Sequence, residues 1–125
     1  MTEIARFSLV ALDCPQPLQL ARFYSDITGW EVRGEPDDDD DWVQLVSPSG
    51  ATIAFQLAPR HRPPTWPSDD QPQQLHIDFD VDDLDAGEQA VINLGAVKAE
   101  TQPGGDDFRV FLDPAGHPFC LVLAG

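Results

Sequence analysis

The chain has 125 residues, 42% of them hydrophobic, and its twenty-two acidic against seven basic side chains leave a net charge of −15. That length suits one ordinary core, no apolar run is long enough to span a bilayer, and so acidic a surface repels phosphate backbones, which excludes nucleic acid and membrane as expected partners. Cys14 and Cys120, the two cysteines, lack CxxC spacing and read as reduced thiols, while residues 1–6 lack a basic start and an apolar signal stretch, so a cytoplasmic protein is expected.

In chain order, the first strand is predicted over residues 9–13. A helix follows, with Pro17 near its N1 position, where a missing N–H costs nothing, apolar Leu20, Phe23, Tyr24 and Ile27 at helical spacing, and Gly29 as a left-handed cap. A short strand is expected over 30–33, and the aspartates at 37–41 repel one another into a solvated loop. Strands at 42–46 and 52–57 flank the turn Ser-Pro-Ser-Gly, in which Pro fixes φ and Gly accepts a positive value. Residues 58–72 hold five prolines and predict a stiff connector. Beyond it come a strand at 76–80, a helix capped by Asp82 or Asp83 that buries Leu84, Val91 and Leu94 before Gly95, a short strand over 97–101, and a hairpin of 110–112 with 119–123 across Asp-Pro-Ala-Gly.

These elements repeat. The segment W-V-Q-L-V-S-P-S-G at 42–50 matches F-R-V-F-L-D-P-A-G at 108–116 at an offset of 66 (108 − 42), the helix-ending glycines share that offset (95 − 29), and the opening strands align at 67 (77 − 10). A one-residue gap reconciles the two values. Each half reads β-α-β-β-β, giving an α+β chain of two tandem modules, about 5–57 and 73–125, within a single domain. Alternation puts His76, Asp78 and Asp80 on one strand face and Ile77, Phe79 and Val81 on the other, the apolar side being expected to meet a helix. By the repeat, Leu9, Ala11 and Asp13, together with Ala54, Gln56, Cys120 and Val122, share the polar side.

The repeat, with L-H-I-D-F-D-V-D-D-L-D at 75–85, F-L-D-P-A-G-H-P-F-C-L-V at 111–122 and R-F-Y-S-D-I-T-G-W at 22–30, resembles the vicinal oxygen chelate superfamily, more narrowly its glyoxalase-like and bleomycin-resistance-like members. The resemblance implies a cupped eight-stranded sheet around a ligand cavity and a homodimer. Metal-using members of that superfamily place a ligand on the first and another on the last strand of each module. Here His76 falls on the second-module histidine position, but its counterpart is Leu9, which has no donor atom. Cys120 stands where glutamate is usual, its counterpart is Ala54, and Gln56 lies two residues on.

Two functions compete on this reading. In the first, the cup binds a small organic molecule without chemistry, a cationic antibiotic being one candidate given the −15 charge. Leu9, Gln56, Trp42, Trp66, Cys120 and Arg109 would then line the site. Trp66, on its proline-rich stretch, would lid the cup or meet a second subunit, Cys120 would be a small buried hydrophobe, and Arg109, like Arg60 and Arg62, would be a scarce cation available to an anionic group. In the second, the chain is a lyase, isomerase or dioxygenase in which His76 is general base or metal ligand and Asp78 orients it, with Zn, Mn, Ni or Fe held by His76 and Cys120. His61 and His117 are expected to be exposed rather than catalytic. No GxSxG, P-loop or HExxH motif occurs. The missing donors favour binding and leave catalysis open.

Overall fold

A computed structural model describes residues 4–124; residues 1–3, on which the reading of the N-terminus partly rests, lie outside the described residues. The first half forms β1 (Val10–Cys14), α1 (Pro17–Thr28), β2 (Glu31–Val32), β3 (Trp42–Val46) and β4 (Thr52–Leu57). The second forms β5 (Ile77–Val81), α2 (Leu84–Leu94), β6 (Val97–Lys98), β7 (Phe108–Leu112) and β8 (Pro118–Leu123). Each half makes one four-stranded sheet, ordered β1-β4-β3-β2 and β5-β8-β7-β6. Strands joined by a hairpin pair antiparallel, whereas β1 with β4 and β5 with β8 pair parallel, because a helix carries the chain back across the sheet before the last strand forms. The chain divides into two compact units, Met1–His61 and Arg62–Gly125, so most of the proline-rich connector belongs with the second unit.

The one-residue gap in the repeat falls within the helices. Pro17 and Leu84 start them 67 apart (84 − 17), Thr28 and Leu94 end them 66 apart (94 − 28), and α1 has 12 residues against 11 in α2. The glycines that stop both helices adopt the left-handed conformation, with φ of 75° at Gly29 and 113° at Gly95, which a side chain would oppose. The N-termini differ: Gln16 gives α1 no side-chain cap, whereas the Asp83 carboxylate accepts the Ala86 N–H at 3.0 Å.

Several strand limits depart from expectation. The strands β2 and β6 have only two residues each, and β7 and β8 start earlier, at Phe108 and Pro118. Past Lys98 a side chain replaces the ladder. The Gln102 amide donates to the carbonyls of Ala99 and Val110 at 2.9 and 2.7 Å and accepts the Val110 N–H at 2.9 Å, so β7 is satisfied without a longer neighbour. Pro118 is tolerated because it opens its strand.

The helices are seated differently. Helix α1 buries Pro17, Leu18, Leu20, Ala21, Phe23 and Tyr24, with Tyr24 stacked on Phe55 of β4 at 5.8 Å. Burying each large apolar side chain stabilises by ~1.5–3 kcal/mol. Helix α2 buries only Leu84 and Val91, and Leu94, expected to be buried, is exposed. Its close approach to the sheet depends on Gly87, where an added Cβ would lie 3.1 Å from Leu121 and 3.3 Å from Val81. Charged contacts supplement it: Arg109 of β7 reaches Asp85 Oδ1 at 2.8 Å and Glu88 Oε1 at 3.0 Å, and Lys98 reaches Glu88 at 3.0 Å.

Candidate functional site

Register assigns the faces of the second sheet. Asp78 lies opposite Cys120 and Asp80 opposite Val122, while Val110 and Phe108 of β7 lie opposite the same two β8 residues. These six share one face. Phe79, Phe111, Phe119, Leu121 and Arg109 occupy the alternate positions, on the side that meets α2.

Three polar side chains converge on the first of these faces. His76, just before β5, places Nε2 3.4 Å from Asp78 Oδ1, both side chains being about half exposed. One ligand atom from each of His76, Asp78 and Cys120 falls within 4.8 Å of the others. Burial, and then the charge of Asp78 and its hydrogen bond, push the Cys120 thiol up from 9.0 to about 11. At neutral pH it is therefore a protonated donor to Asp78 and a weak nucleophile.

An apolar patch adjoins the trio. Trp66, Phe108 and Val122 pack on the buried side chains of Ala99, Val110 and Cys120. Trp66 is presented by a loop closed on itself, in which the Thr65 N–H donates to the Gln71 carbonyl at 2.8 Å and the Gln71 N–H donates back to Thr65 Oγ1 at 3.0 Å. The proline-rich stretch thus supplies a wall for the Cys120 side of the sheet. Phe108 and Val110 are not among the site residues expected from sequence; alternation from Leu112 puts Val110 on this face, and starting the strand two residues earlier adds Phe108.

Arg109 requires a correction. It faces α2, where a hydrogen bond and ion pair with Asp85, reinforced by Glu88, raise its pKa. Its guanidinium is engaged there, on the face opposite Cys120. His61 and His117 are half-buried rather than exposed. His117 belongs to a turn in which the buried Asp113 carboxylate accepts the N–H groups of Ala115 and His117 at 2.8 and 3.0 Å.

Leu9, Trp42 and Gln56 belong to the first unit. Gln56 lies opposite Asp13 and Trp42 in register and is exposed, Trp42 is 41% exposed, and Leu9 is half-buried ahead of β1. In this unit the positions equivalent to the trio hold Leu9, Ala11 and Ala54, without a donor side chain. Where the second unit has Ala99 and Val110, the first has Arg33 and Gln44. The backbone bond is the same in both, at 2.9 and 3.1 Å, but in the first unit Arg33 Nη1 also donates to Gln44 Oε1 at 2.9 Å.

The donor types of the trio fit a zinc-like divalent ion, which accepts imidazole, thiolate and carboxylate. The fit has two conditions. Bonds of ~2.0–2.3 Å set tetrahedral ligand atoms ~3.3–3.7 Å apart, so a cluster spread over 4.8 Å would have to contract. Cys120 would also have to release its proton.

A family model described as a glyoxalase-like domain matches residues 9–122. Among solved structures, a glyoxalase/bleomycin resistance protein/dioxygenase family enzyme from Burkholderia phytofirmans is 18% identical, with a TM-score of 0.69 over 95% of this chain and 98% of that one. The fosfomycin resistance protein FosX from Mesorhizobium loti is 16% identical, with a TM-score of 0.67 over 98% and 94%. A glyoxylase/bleomycin resistance protein/dioxygenase domain from Frankia is 20% identical, with a TM-score of 0.65 over 98% and 100%. At these identities the likeness shows the fold. No curated protein matches the chain.

Proposed function

The chain belongs to the glyoxalase-like domain family, and from that premise we propose that it binds a small organic molecule on the His76 face of the second unit, without the usual metal-ligand set. One juxtaposition carries this reading: the His76–Asp78 pair, 3.4 Å apart and open to solvent, adjoins the apolar patch of Trp66, Phe108 and Val122. A few polar groups that fix orientation, set beside an aromatic wall, are the usual make-up of a small-molecule site. The protonated thiol and the donor-free equivalents Leu9 and Ala54 favour binding over metal chemistry. Within the same reading the two modules act as one domain, in the cytoplasm, as a homodimer, with neither nucleic acid nor membrane as partner. The homodimer rests on the family likeness, and among the described residues no helix is long and apolar enough to cross a membrane.

The test is a ligand panel read by tryptophan emission and calorimetry. Fosfomycin and bleomycin belong in it, because neighbours are named for resistance to them. Saturable binding that His76→Ala or Trp66→Ala weakens is expected; silence across the panel defeats the reading.

The donor cluster favours a second reading. His76, Asp78 and Cys120 would hold Zn, Mn, Ni or Fe, and the ion would supply a Lewis acid to a lyase, isomerase or dioxygenase. Metal analysis of protein purified without chelator decides it: a stoichiometric ion lost in His76→Ala supports this reading, and its absence sinks it.

A further inference from the structure

The binding reading leaves the ligand's chemistry open, and the charge on the face narrows it. Two carboxylates, Asp78 and Asp80, stand on a sheet face otherwise walled by Trp66, Phe108, Val110 and Val122. Among the described residues on that face none is Lys or Arg. The cations of the neighbouring strands, Lys98 and Arg109, point the other way and are held by Asp85 and Glu88. Asp78 has His76 within ion-pair distance, at 3.4 Å.

The first unit is an internal comparison on an equivalent backbone. Its corresponding face carries Arg33, bonded to Gln44, at the positions that are Ala99 and Val110 in the second. The first face has a cation of its own, and the second has the aliphatic Ala99 and Val110 in its place. An anionic ligand would meet the repulsion of two carboxylates there, with His76 beside Asp78 to offset it only in part. A neutral apolar one would crowd carboxylates without compensating them. A cation with a flat apolar body satisfies both features, its charge beside the carboxylates and its ring on the indole.

We propose that this face takes an organic cation bearing an aromatic ring, an amine or quaternary ammonium whose charge lies beside Asp78 and Asp80 while its ring packs on Trp66 and Phe108. The proposal rests on the binding reading and narrows it to one ligand class.

The test compares three probes of similar size on the full chain, in the presence of chelator: benzyltrimethylammonium, benzyl alcohol and phenylacetate. Binding is followed by calorimetry and by Trp66 emission in a Trp30→Phe, Trp42→Phe background. Benzyltrimethylammonium should bind about fivefold or more tighter than benzyl alcohol, weaken with salt, and lose about fivefold in Asp78→Asn, with Asp80→Asn as a second isosteric variant and far-UV circular dichroism as the check on folding. Phenylacetate should not bind, and Arg33→Ala should change nothing. If benzyl alcohol binds as tightly, or both Asn variants leave the ammonium's affinity intact, the cation class falls while the binding reading stands. If no probe disturbs Trp66, the cation class falls, and the wider ligand panel decides the binding reading separately. Should Zn²⁺ bind stoichiometrically once chelator is removed, while the ammonium never does, the ion displaces the proposal.

Discussion

The two units share a backbone plan and differ in where they place their polar groups. In the first, both the helix side and the strand core are apolar: Val43 sits buried at the position that is Arg109 in the second, and α1 inserts six side chains. The second unit gives up part of that packing, seats its helix with Arg109 and Lys98, and gathers His76, Asp78 and Cys120 on the opposite face. One copy has the denser helix packing and the other carries the polar cluster. An element with fewer buried side chains opens at lower free energy, so α2 is expected to exchange its amides faster than α1.

The sharpest test of that division is truncation under each helix. Leu20→Ala, at a position 2% exposed, should cost ~3 kcal/mol in urea denaturation, and Val91→Ala under α2 about half as much. Equal costs would erase the contrast. Next are the equivalent hairpin glycines. Both have positive φ, 97° at Gly50 and 89° at Gly116, but a Cβ meets nothing within 4 Å at Gly50 and would lie 2.6 Å from Pro63 Cβ at Gly116. Gly116→Ala should therefore cost ~2–3 kcal/mol and Gly50→Ala ~1 kcal/mol, read from the same denaturation midpoints.

Smaller effects are expected at the helix starts. Asp83→Ala should lose ~1 kcal/mol with its cap, whereas Gln16→Asp should add a few tenths of a kcal/mol to a terminus that lacks one, both measured by thermal unfolding. The Cys120 pKa is raised on folding, so above 9.0 the unfolded chain sheds a proton that the folded chain keeps. Stability should accordingly be complete below that value and fall as pH climbs towards about 11. Comparing Cys120→Ala with the parent across this window isolates the loss, and an unchanged alkaline slope would place the thiol outside the influence of burial and Asp78.

Much of the fold could be read from local chemistry. The hairpins β3–β4 and β7–β8 announce themselves through Pro-Ser-Gly and Pro-Ala-Gly between alternating strands, and the repeat transfers each assignment to the other half. What misled was replacement of backbone by side chain: nothing in the sequence reveals that Gln102 completes the ladder where β6 stops. The trio was legible for the same reason as the hairpins, since parity and the repeat together bring His76, Asp78 and Cys120 to one face. Arg109 was misplaced because scarcity of positive charge took precedence over strand parity, which sets it one step from Val110 and therefore on the helix side. Trp66 was noticed but not located, because the closure of its loop depends on the pairing of Thr65 with Gln71, which has no periodic signature.

The shared register also makes the first unit a blank template. Ala11 opposite Ala54 reproduces the pairing of Asp78 with Cys120, and Leu9 stands where His76 does. Three substitutions, Leu9→His, Ala11→Asp and Ala54→Cys, would therefore write a second copy of the cluster onto a sheet whose helix is already well anchored. Gene duplication supplies such material: a copy that holds its shape through apolar packing can acquire or lose polar residues on its other face without unfolding, which is how one scaffold comes to host different chemistries.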